Sequence, residues 1–201
     1  AFVARDRRKG QRVLVVDHRL PTYDRDAGSL RMHHLLRMMD ELGLVITFLP
    51  ANRERLEPYA GELQQMGIEV LYAPLDEELL LQEIGPQLAQ CIVSRADVAE
   101  RYVPLLRRFA PQARLIYDTV DLHYLREERR AEIEGSATAR RSARRYKELE
   151  LELARSCSAT IAVSETERRI LVQEDPDLTV HVIPPVHDVQ RVPEPEDLGQ
   201  R

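Results

Sequence analysis

The sequence predicts an α/β fold in which about seven parallel strands form a sheet between two layers of helices. Short, strongly apolar runs bounded by chain-breaking residues predict these strands at residues 12–17, 44–49, 68–72, 91–93, 114–117, 160–163 and 180–183. Most of the runs lack the apolar-polar alternation of a half-exposed strand, and strands that are covered on both faces lose that alternation. The segments between them have helical spacing, so strand and helix alternate along the chain in βαβ units.

The first predicted helix begins near Ser29 and is followed by a glycine joint. Its apolar residues fall at positions i, i+3, i+4 and i+7 of one helical face: Leu35, Met38, Met39 and Leu42. Gly43 precedes the second predicted strand and Gly67 the third. A glycine just past a helix end can take the left-handed conformation that closes the helix, so both glycines predict helix-to-strand joints.

The composition is that of a water-soluble globular chain, with 201 residues of which 43% are hydrophobic and 31% are charged. A chain of this length forms one large domain or two small ones. No apolar run approaches the roughly 20 residues of a membrane span, and we expect no signal peptide. The 29 Lys and Arg residues against 34 Asp and Glu residues give a net charge of -5, which argues against a dedicated nucleic-acid binder.

Two cysteines, Cys91 and Cys157, supply neither a disulfide framework nor a set of metal ligands. Both lie beside apolar runs, which predicts small buried side chains in a reducing compartment. Metal-ligand spacing is also missing among five of the histidines: His18, His33, His34, His181 and His187. We therefore expect no protein-bound metal.

The last part of the chain, residues 184–201, is rich in proline and acidic residues and has no apolar period. This composition predicts a linker, so that residues 1–184 form one domain and residues 185–201 lead to something attached beyond it. The first residue is Ala1 rather than Met, which also predicts that the chain is an excerpt of a longer product.

Polar and ionisable residues collect where the predicted strands end. In open parallel sheets, ligands bind beyond the carboxyl ends of the strands, near the point where the strand order reverses. The residues expected at this edge are Asp17, His18, Tyr23, Asp24, Arg25, Asp26, Gly28, Ser29, Ser94, Arg95, Asp118, Asp121, His123, Ser164 and Glu165. For Ser94 and Ser164, capping of a following helix is an equally good explanation.

Gly28 precedes the first long helix, where backbone N–H groups attract anions and a glycine lets a phosphate approach closely. A flexible loop end before a plain helix start explains the same residue. The chain has only eight glycines, and no strand is followed by GxGxxG or by a P-loop pattern. The sequence therefore argues against a dinucleotide-binding domain of the NAD type.

His123 is the first candidate for a reacting group, because it lies just past a strand that should be central. An imidazole there can hydrogen-bond a sugar hydroxyl or manage charge at a reacting centre. A helix cap or a surface histidine is the alternative interpretation.

A basic stretch without acidic residues lies between Ser136 and Lys147. Four of its arginines form two like-charged i, i+4 pairs on a predicted helix: Arg140 with Arg144, and Arg141 with Arg145. A solvated helix that is neutralised by the glutamates that follow explains this pattern. Contact with an anionic acceptor or with a membrane surface is the alternative.

Three segments together resemble the N-terminal, acceptor-side domain of a retaining GT-B glycosyltransferase of the family-four type. They are RVLVVDHRLPTYDRDAGSLRMHHLLRMMDELG at residues 12–43, RLIYDTVDLHYLRE at residues 114–127, and ATIAVSETER followed by VHVIPPVHDV. The resemblance covers nearly the whole chain through the order and spacing of these segments. Two positions depart from the family's pattern, since Pro185 stands where Asn is more common and Ser29 stands where many members have a second glycine.

This resemblance implies a two-domain enzyme with a Rossmann-like N-terminal domain. The enzyme would transfer a sugar, without a metal or other cofactor, from a nucleotide-sugar donor to a glycan or lipid-linked acceptor in the synthesis of polysaccharides or cell-surface glycans. His123 would be the active-site histidine, and Gly28 and Ser29 would face the donor phosphates or the transferred sugar. The residues that would contact the acceptor are Tyr23, Asp24, Asp26, Arg95 and Asp121.

The resemblance further implies a second, donor-binding domain beyond Arg201, so the present chain alone should have little or no transferase activity. The protein would be cytoplasmic. Peripheral contact with the inner face of the membrane would involve the basic stretch: Arg140, Arg141, Arg144 and Arg145.

Three alternatives stand beside this interpretation. The run VLVVD suggests a receiver-type signalling domain, but His18 follows Asp17 where such domains need a second acid, and Asp118 stands where they need a lysine. A non-catalytic, partner-binding module would share the Rossmann-like fold. A GT-B sugar-nucleotide epimerase would share the domain, but it would release free nucleotide and sugar rather than elongate a glycan.

Overall fold

The computed structural model describes residues 10–185 of the protein and contains a sheet in which all neighbouring strands are parallel. In chain order the strands are β1 (Arg12–Asp17), β2 (Val45–Pro50), β3 (Glu69–Val70), β4 (Leu88–Ser94), β5 (Arg114–Asp118), β6 (Ala159–Ala162) and β7 (Val180–Val182). Across the sheet their order is β3-β2-β1-β4-β5-β6-β7. This confirms the predicted parallel sheet and its seven strands.

Helices connect consecutive strands throughout the described residues. They are α1 (Ala27–Glu41), α2 (Tyr59–Gln65), α3 (Glu77–Ile84), α4 (Ala96–Phe109), α5 (His123–Glu134), α6 (Ala137–Ser156) and α7 (Glu165–Glu174). A single 3-10 turn at Gly85–Gln87 leads from α3 into β4. The chain therefore alternates strand and helix, as the spacing of its apolar residues predicted.

Both faces of the sheet are covered by helices. Along β1, Val13 and Val15 belong to an apolar core that includes residues of α1 and α2. Leu14 and Val16, which point to the other face, belong to a second core with residues of α3, α4 and α6. The result is a three-layer, Rossmann-like sandwich, and burial on both faces explains why the strands lack alternation.

The strand order reverses between β1 and β4. After β1 the chain moves outward through β2 and β3, and it then crosses back so that β4 pairs with the other side of β1. The helices that follow these two strands belong to different cores, α1 to one and α4 to the other. Their divergence leaves a crevice beyond the carboxyl ends of β1 and β4, where a ligand is expected.

Some predicted boundaries were wrong, and each error has a physical reason. The edge strand β3 covers two residues rather than 68–72, because it pairs with β2 alone. The central strand β4 is longer than 91–93, because it pairs on both sides. Leu42 is 78% exposed rather than part of the apolar stripe, since it follows the last residue of α1. Met32 and Leu36 are the buried apolar residues of that helix.

Glycines do close helices where the sequence predicted it. Gly43 follows α1 with φ of +76°, and Gly67 follows α2 with φ of +84°. Residues with a Cβ are strained in this left-handed conformation, whereas glycine adopts it freely. Gly135 likewise ends α5 with φ of +62°, and the Ser136 hydroxyl caps the start of α6.

We expect Gly85→Ala to lower the free energy of unfolding by about 1–3 kcal/mol, the usual cost of overpacking a well-packed core. A Cβ at buried Gly85 would lie 2.3 Å from the main-chain oxygen of Phe109, which cannot move independently of α4. Gly61→Ala is the matched control, because the nearest atom to its Cβ is the carboxylate end of the exposed Glu57 side chain at 3.1 Å. In α2 that change should stabilise by up to about 1 kcal/mol. Urea unfolding of both variants checks the difference, and equal effects would contradict it.

The structure bears on the predicted linker, on membrane spans and metal sites, and on the two cysteines. The predicted linker falls mostly at residues 186–201, outside the described residues, so the division at residue 184 stays a prediction. No helix among residues 10–185 is long and apolar enough to cross a membrane, and no three His, Cys, Asp or Glu side chains there are grouped to hold a metal ion. Cys91 is fully buried as predicted, whereas Cys157 is half-buried.

Candidate functional site

A carboxylate and a guanidinium lie side by side in the crevice between β1 and β4. Asp17 is the last residue of β1, and its side chain is 3% exposed. Arg95 follows β4 and donates from Nε to Asp17 Oδ1 at 2.9 Å. The main-chain N–H of His18 donates to the same oxygen at 2.6 Å. Asp17 thus anchors Arg95 at the base of its guanidinium.

Two cavities open on this edge of the sheet and share part of their walls. The glycine cavity, of about 270 Å³, is lined on one side by Gly28. The histidine cavity, of about 200 Å³, is lined by His123. Arg95 and Asp121 line both cavities. The structure therefore brings Gly28 and His123, which are far apart in sequence, to adjoining cavities on one edge.

The start of α1 is capped by Asp26. Its Oδ1 accepts the main-chain N–H of Ser29 at 2.8 Å, and its Oδ2 accepts the Ser29 hydroxyl at 2.8 Å and Arg19 Nη2 at 2.9 Å. Burial raises the pKa of Asp26, but these hydrogen bonds outweigh burial and lower the pKa to about 2. Ser29 is 1% exposed and bonded to its own cap. Of the two residues predicted to face a phosphate, Gly28 lines the glycine cavity and Ser29 stabilises α1.

Two residues that lie close to Gly28 have strained backbone conformations. A Cβ at Gly28 would lie 3.0 Å from Arg95 Nη2 and 3.4 Å from Val120 Cγ1. Arg95 has a φ of +73° and Val120 a φ of +64°, and both residues line the glycine cavity. Such conformations cost of order 1–3 kcal/mol each in a residue that is not glycine, and they cluster at binding sites. The shape of this cavity is therefore imposed by the surrounding fold.

A buried ion pair forms another wall of the glycine cavity. Arg31 of α1 lines the cavity and donates from Nη1 to Asp118 Oδ2 at 2.9 Å. The two side chains are 2% and 0% exposed. The Ser94 hydroxyl donates to the same Asp118 oxygen at 3.1 Å, and Arg31 Nε donates to the main-chain oxygen of Ile183 at 3.2 Å. Sequence reasoning placed Asp118 and Ser94 at this edge but missed Arg31.

The two serines with a capping alternative have different roles. Ser164 caps α7, because its hydroxyl accepts the main-chain N–H of Glu167 at 3.2 Å. Ser94 does not cap α4, since Arg95 occupies the cap position without a side-chain hydrogen bond and the Ser94 hydroxyl bonds Asp118. Capping thus explains Ser164, and the buried ion pair explains Ser94.

His123 is the first residue of α5 and is held on several sides. Its ring lies tilted against that of Tyr146, with centroids 4.0 Å apart. The guanidinium of Arg126 contacts ring atom Nδ1, and Nε2 lies 4.0 Å from Glu127 Oε1. The side chain is 25% exposed. The imidazole is therefore fixed in position with part of its surface open to the histidine cavity.

Two carboxylates from later helices hold the main chain around His123. Glu150 of α6 accepts the N–H of His123 at Oε1 and that of Tyr124 at Oε2, both at 2.9 Å. Burial raises the pKa of Glu150 to about 7, although these hydrogen bonds act in the opposite direction. Glu167 of α7 accepts the N–H of Leu122 at 3.4 Å. Neither glutamate was predicted, although Glu150 lies between leucines in LELELA, where one face of a helix is apolar.

The structure separates the predicted acceptor residues into two groups. Asp24 accepts the Tyr59 hydroxyl at 2.6 Å, and the rings of Tyr23 and Tyr59 lie 5.5 Å apart, so Tyr23 and Asp24 face α2. The other three line the cavities described above: Asp26, Arg95 and Asp121. Tyr23 and Asp24 therefore lie on the α2 side of the loop that carries Asp26.

The four arginines of the predicted basic stretch are exposed on α6. Arg140 and Arg144 line a cavity of about 420 Å³ together with Glu128 and Glu132 of α5. Arg145 pairs with Glu100 at 3.5 Å. Acidic neighbours thus offset part of this positive charge, as the salt-bridged interpretation expects, and membrane contact stays a prediction.

No protein-family model and no curated protein matches this sequence. Among solved structures it is similar to NmrA, a negative transcriptional regulator whose crystal structure is a complex with NADP. The two sequences are 15% identical, and the superposition has a TM-score of 0.40. The match covers 59% of this chain and 36% of NmrA, so the chain spans about a third of that protein's length. The parallel sheet with helices on both of its faces makes the protein described here a Rossmann-like α/β chain.

Proposed function

We propose that the protein is the acceptor-side domain of a retaining, metal-independent GT-B glycosyltransferase, which moves a sugar from a nucleotide-sugar donor to a glycan or lipid-linked acceptor. One observation carries this proposal. Gly28 and His123 line adjoining cavities beside the strand reversal, with Arg95 and Asp121 in the walls of both. A substrate that spans the two cavities would meet a helix N-terminus at one end and an imidazole at the other.

The roles of the side chains follow from their surroundings. Gly28 leaves room for a ligand beside the first turn of α1, because a side chain there would meet Arg95. His123 would hydrogen-bond the transferred sugar, since its ring is fixed by Tyr146 and a quarter of its surface is open. Arg95 and Asp121 would contact groups of the substrate that lie between them.

A second domain would complete the site under this proposal. The crevice faces outward from the sheet edge, and GT-B enzymes of the type this sequence resembles bind the nucleotide sugar between two such domains. Transfer would therefore require the full-length protein, and the present chain alone would bind ligands with little turnover.

We expect His123→Ala in the full-length protein to reduce sugar transfer by about 100-fold or more, the usual contribution of a positioned acid-base or hydrogen-bonding group. The measurement is the release of nucleoside diphosphate together with elongation of an acceptor. His181→Ala is the matched control, because His181 is exposed on β7 and lines neither cavity. It should leave transfer unchanged, and neither variant should change the melting temperature by much.

The same assay separates the alternatives. Transfer that survives in His123→Ala would show that this histidine is structural. Free nucleotide and free sugar without an elongated product would favour a sugar-nucleotide epimerase. If no nucleotide sugar reacts with the full-length protein, the fold serves as a non-catalytic, partner-binding module, and the proposed transfer is wrong.

A further inference from the structure

The first turn of α5 begins at His123 and follows a residue that cannot cap it. Leu122 occupies the cap position, and its hydrocarbon side chain cannot accept a hydrogen bond. The first N–H groups of a helix find no acceptor within the helix itself, so they need one from another part of the protein. The turn that carries His123 therefore depends on acceptors that come from elsewhere in the chain.

Glu150 of α6 supplies these acceptors. Its two carboxylate oxygens take different donors, since Oε1 accepts the main-chain N–H of His123 and Oε2 accepts that of Tyr124, both at 2.9 Å. The Tyr117 hydroxyl of β5 donates to Oε1 at 3.4 Å. Glu150 is 0% exposed, and a buried carboxylate needs such donors to offset the loss of water. One buried carboxylate thus joins the start of α5 to β5.

The same face of α6 also contacts the imidazole. Tyr146 lies one turn before Glu150, at the i, i+4 spacing that places two side chains on one helix face. Its ring is tilted against that of His123 with centroids 4.0 Å apart, and its hydroxyl donates to Asp97 Oδ1 at 3.1 Å. One turn of α6 therefore contacts the ring of His123 through Tyr146 and binds its main chain through Glu150.

Glu150 has no direct access to a substrate. It is buried, and it lines neither the glycine cavity nor the histidine cavity. His123 lines the histidine cavity and is 25% exposed. A side chain that reacts with a substrate or hydrogen-bonds it must be held within about 0.5 Å of its productive position. The route from Glu150 to a substrate therefore runs through the position of His123.

We propose that Glu150 and Tyr146 are positioning residues for His123, which together place its imidazole in the histidine cavity. The reaction that His123 serves rests on the proposed function, whereas the placement rests on these contacts alone. A carboxylate also complements the partial positive charge at the N-terminus of α5, so it binds this turn more strongly than an amide would. Removing the charge should loosen the turn and let the imidazole leave its place against Tyr146.

Nuclear magnetic resonance of the imidazole 1H and 15N nuclei tests the placement in the present chain and needs no turnover. The spectra are recorded above the pKa of about 7 that burial gives Glu150, so that its carboxyl is ionised. Glu150→Gln nearly keeps the shape of the side chain, but its amide has a single oxygen as acceptor. The ring signals of His123 should therefore shift or broaden in this variant.

Tyr146→Leu removes the ring contact from the same face of α6, and it should also shift the His123 signals. It keeps the test valid if Glu150→Gln fails to fold. Glu152→Gln is the matched control, because it makes the same change of charge at an exposed position two residues further along α6. It should leave the signals unchanged. Unchanged His123 signals in either folded variant would overturn the proposal, and so would an equal shift in Glu152→Gln.

Transfer by the full-length protein tests the consequence for the reaction. Glu150→Gln should lower kcat about tenfold or more, because a misplaced reacting group loses much of its effect, and Glu152→Gln should not lower it. In the His123→Ala background the same Glu150→Gln change should cost less than about twofold, since the group that it positions is gone. An equal loss in both backgrounds would show a merely structural role for Glu150 and would overturn the proposal.

The two proposals fail separately. If the full-length protein transfers no sugar, the proposed function is wrong, while the imidazole signals still decide whether Glu150 and Tyr146 place His123. If sugar transfer needs His123 but the signals stay unchanged in the two variants, the proposed function stands and the positioning role is wrong.

Discussion

Replacing Arg31 with methionine is expected to lower the free energy of unfolding by about 3–5 kcal/mol, the usual cost of removing one partner from a buried ion pair. Arg31 and Asp118 are 2% and 0% exposed, and their charged atoms are 2.9 Å apart. Without Arg31, the carboxylate of Asp118 would retain the Ser94 hydroxyl as a partner for one oxygen, while its other oxygen already lacks a partner among the described residues. An unpaired charge that is buried in this position is costly, so the folded state loses stability relative to the unfolded state.

A double-mutant cycle tests whether the loss of stability comes from the ion pair between Arg31 and Asp118. Asp118→Asn removes the charge at nearly constant volume, so the double variant with Arg31→Met should lose clearly less stability than the two single losses added together. Urea denaturation of the four proteins measures the coupling. If the two losses of unfolding free energy simply add, the two side chains stabilise the fold independently, and the ion pair contributes no coupling energy.

The sheet could be predicted because its cause is local. Apolar runs without alternation mark strands that are buried on both faces, and Gly43 and Gly67 mark the ends of helices, so the parallel direction of the strands and their number followed from the chain itself. The edge of the sheet at which the candidate residues meet was also predictable, since each of them follows the carboxyl end of a parallel strand. Arg95, Asp121 and His123 lie there for that reason.

The partners of the site residues could not be predicted, because they come from distant parts of the chain. Arg31 and Asp118 are 87 positions apart, and Glu150 reaches His123 across 27 positions. A buried carboxylate such as Asp118 needs a charged or hydrogen-bonding partner. The sequence contains many arginines, and nothing in it indicates which of them is that partner. The role of Ser29 was missed for a related reason, since its hydrogen bonds depend on how the preceding loop folds back.

Glu150 should make the stability of the protein depend on pH in the range where most carboxyl groups no longer titrate. Burial raises its pKa from an ordinary 4.5 to about 7, which corresponds to about 3 kcal/mol. Between these two pH values the folded protein keeps a proton that the unfolded chain has released. The contribution of Glu150 to the free energy of unfolding is therefore fully present below about pH 4.5 and is lost as the pH rises through about 7. The stabilising hydrogen bonds of Asp26 do not interfere, since its pKa of about 2 places its titration far below this range.

Glu150→Gln separates the charge from the hydrogen bonds. Gln has no proton to release, so the fall in unfolding free energy between about pH 5 and about pH 8 should become smaller by most of that amount. Its amide oxygen can accept one of the two N–H groups that Glu150 accepts, from His123 and Tyr124, so the variant should be less stable than the unmodified protein at the acidic end. Parallel pH profiles for the two proteins would show that Glu150 titrates like an exposed carboxyl. In that case the start of α5, and with it the position of His123, would be held by an ionised carboxylate across this pH range rather than by a carboxyl group that titrates near neutral pH.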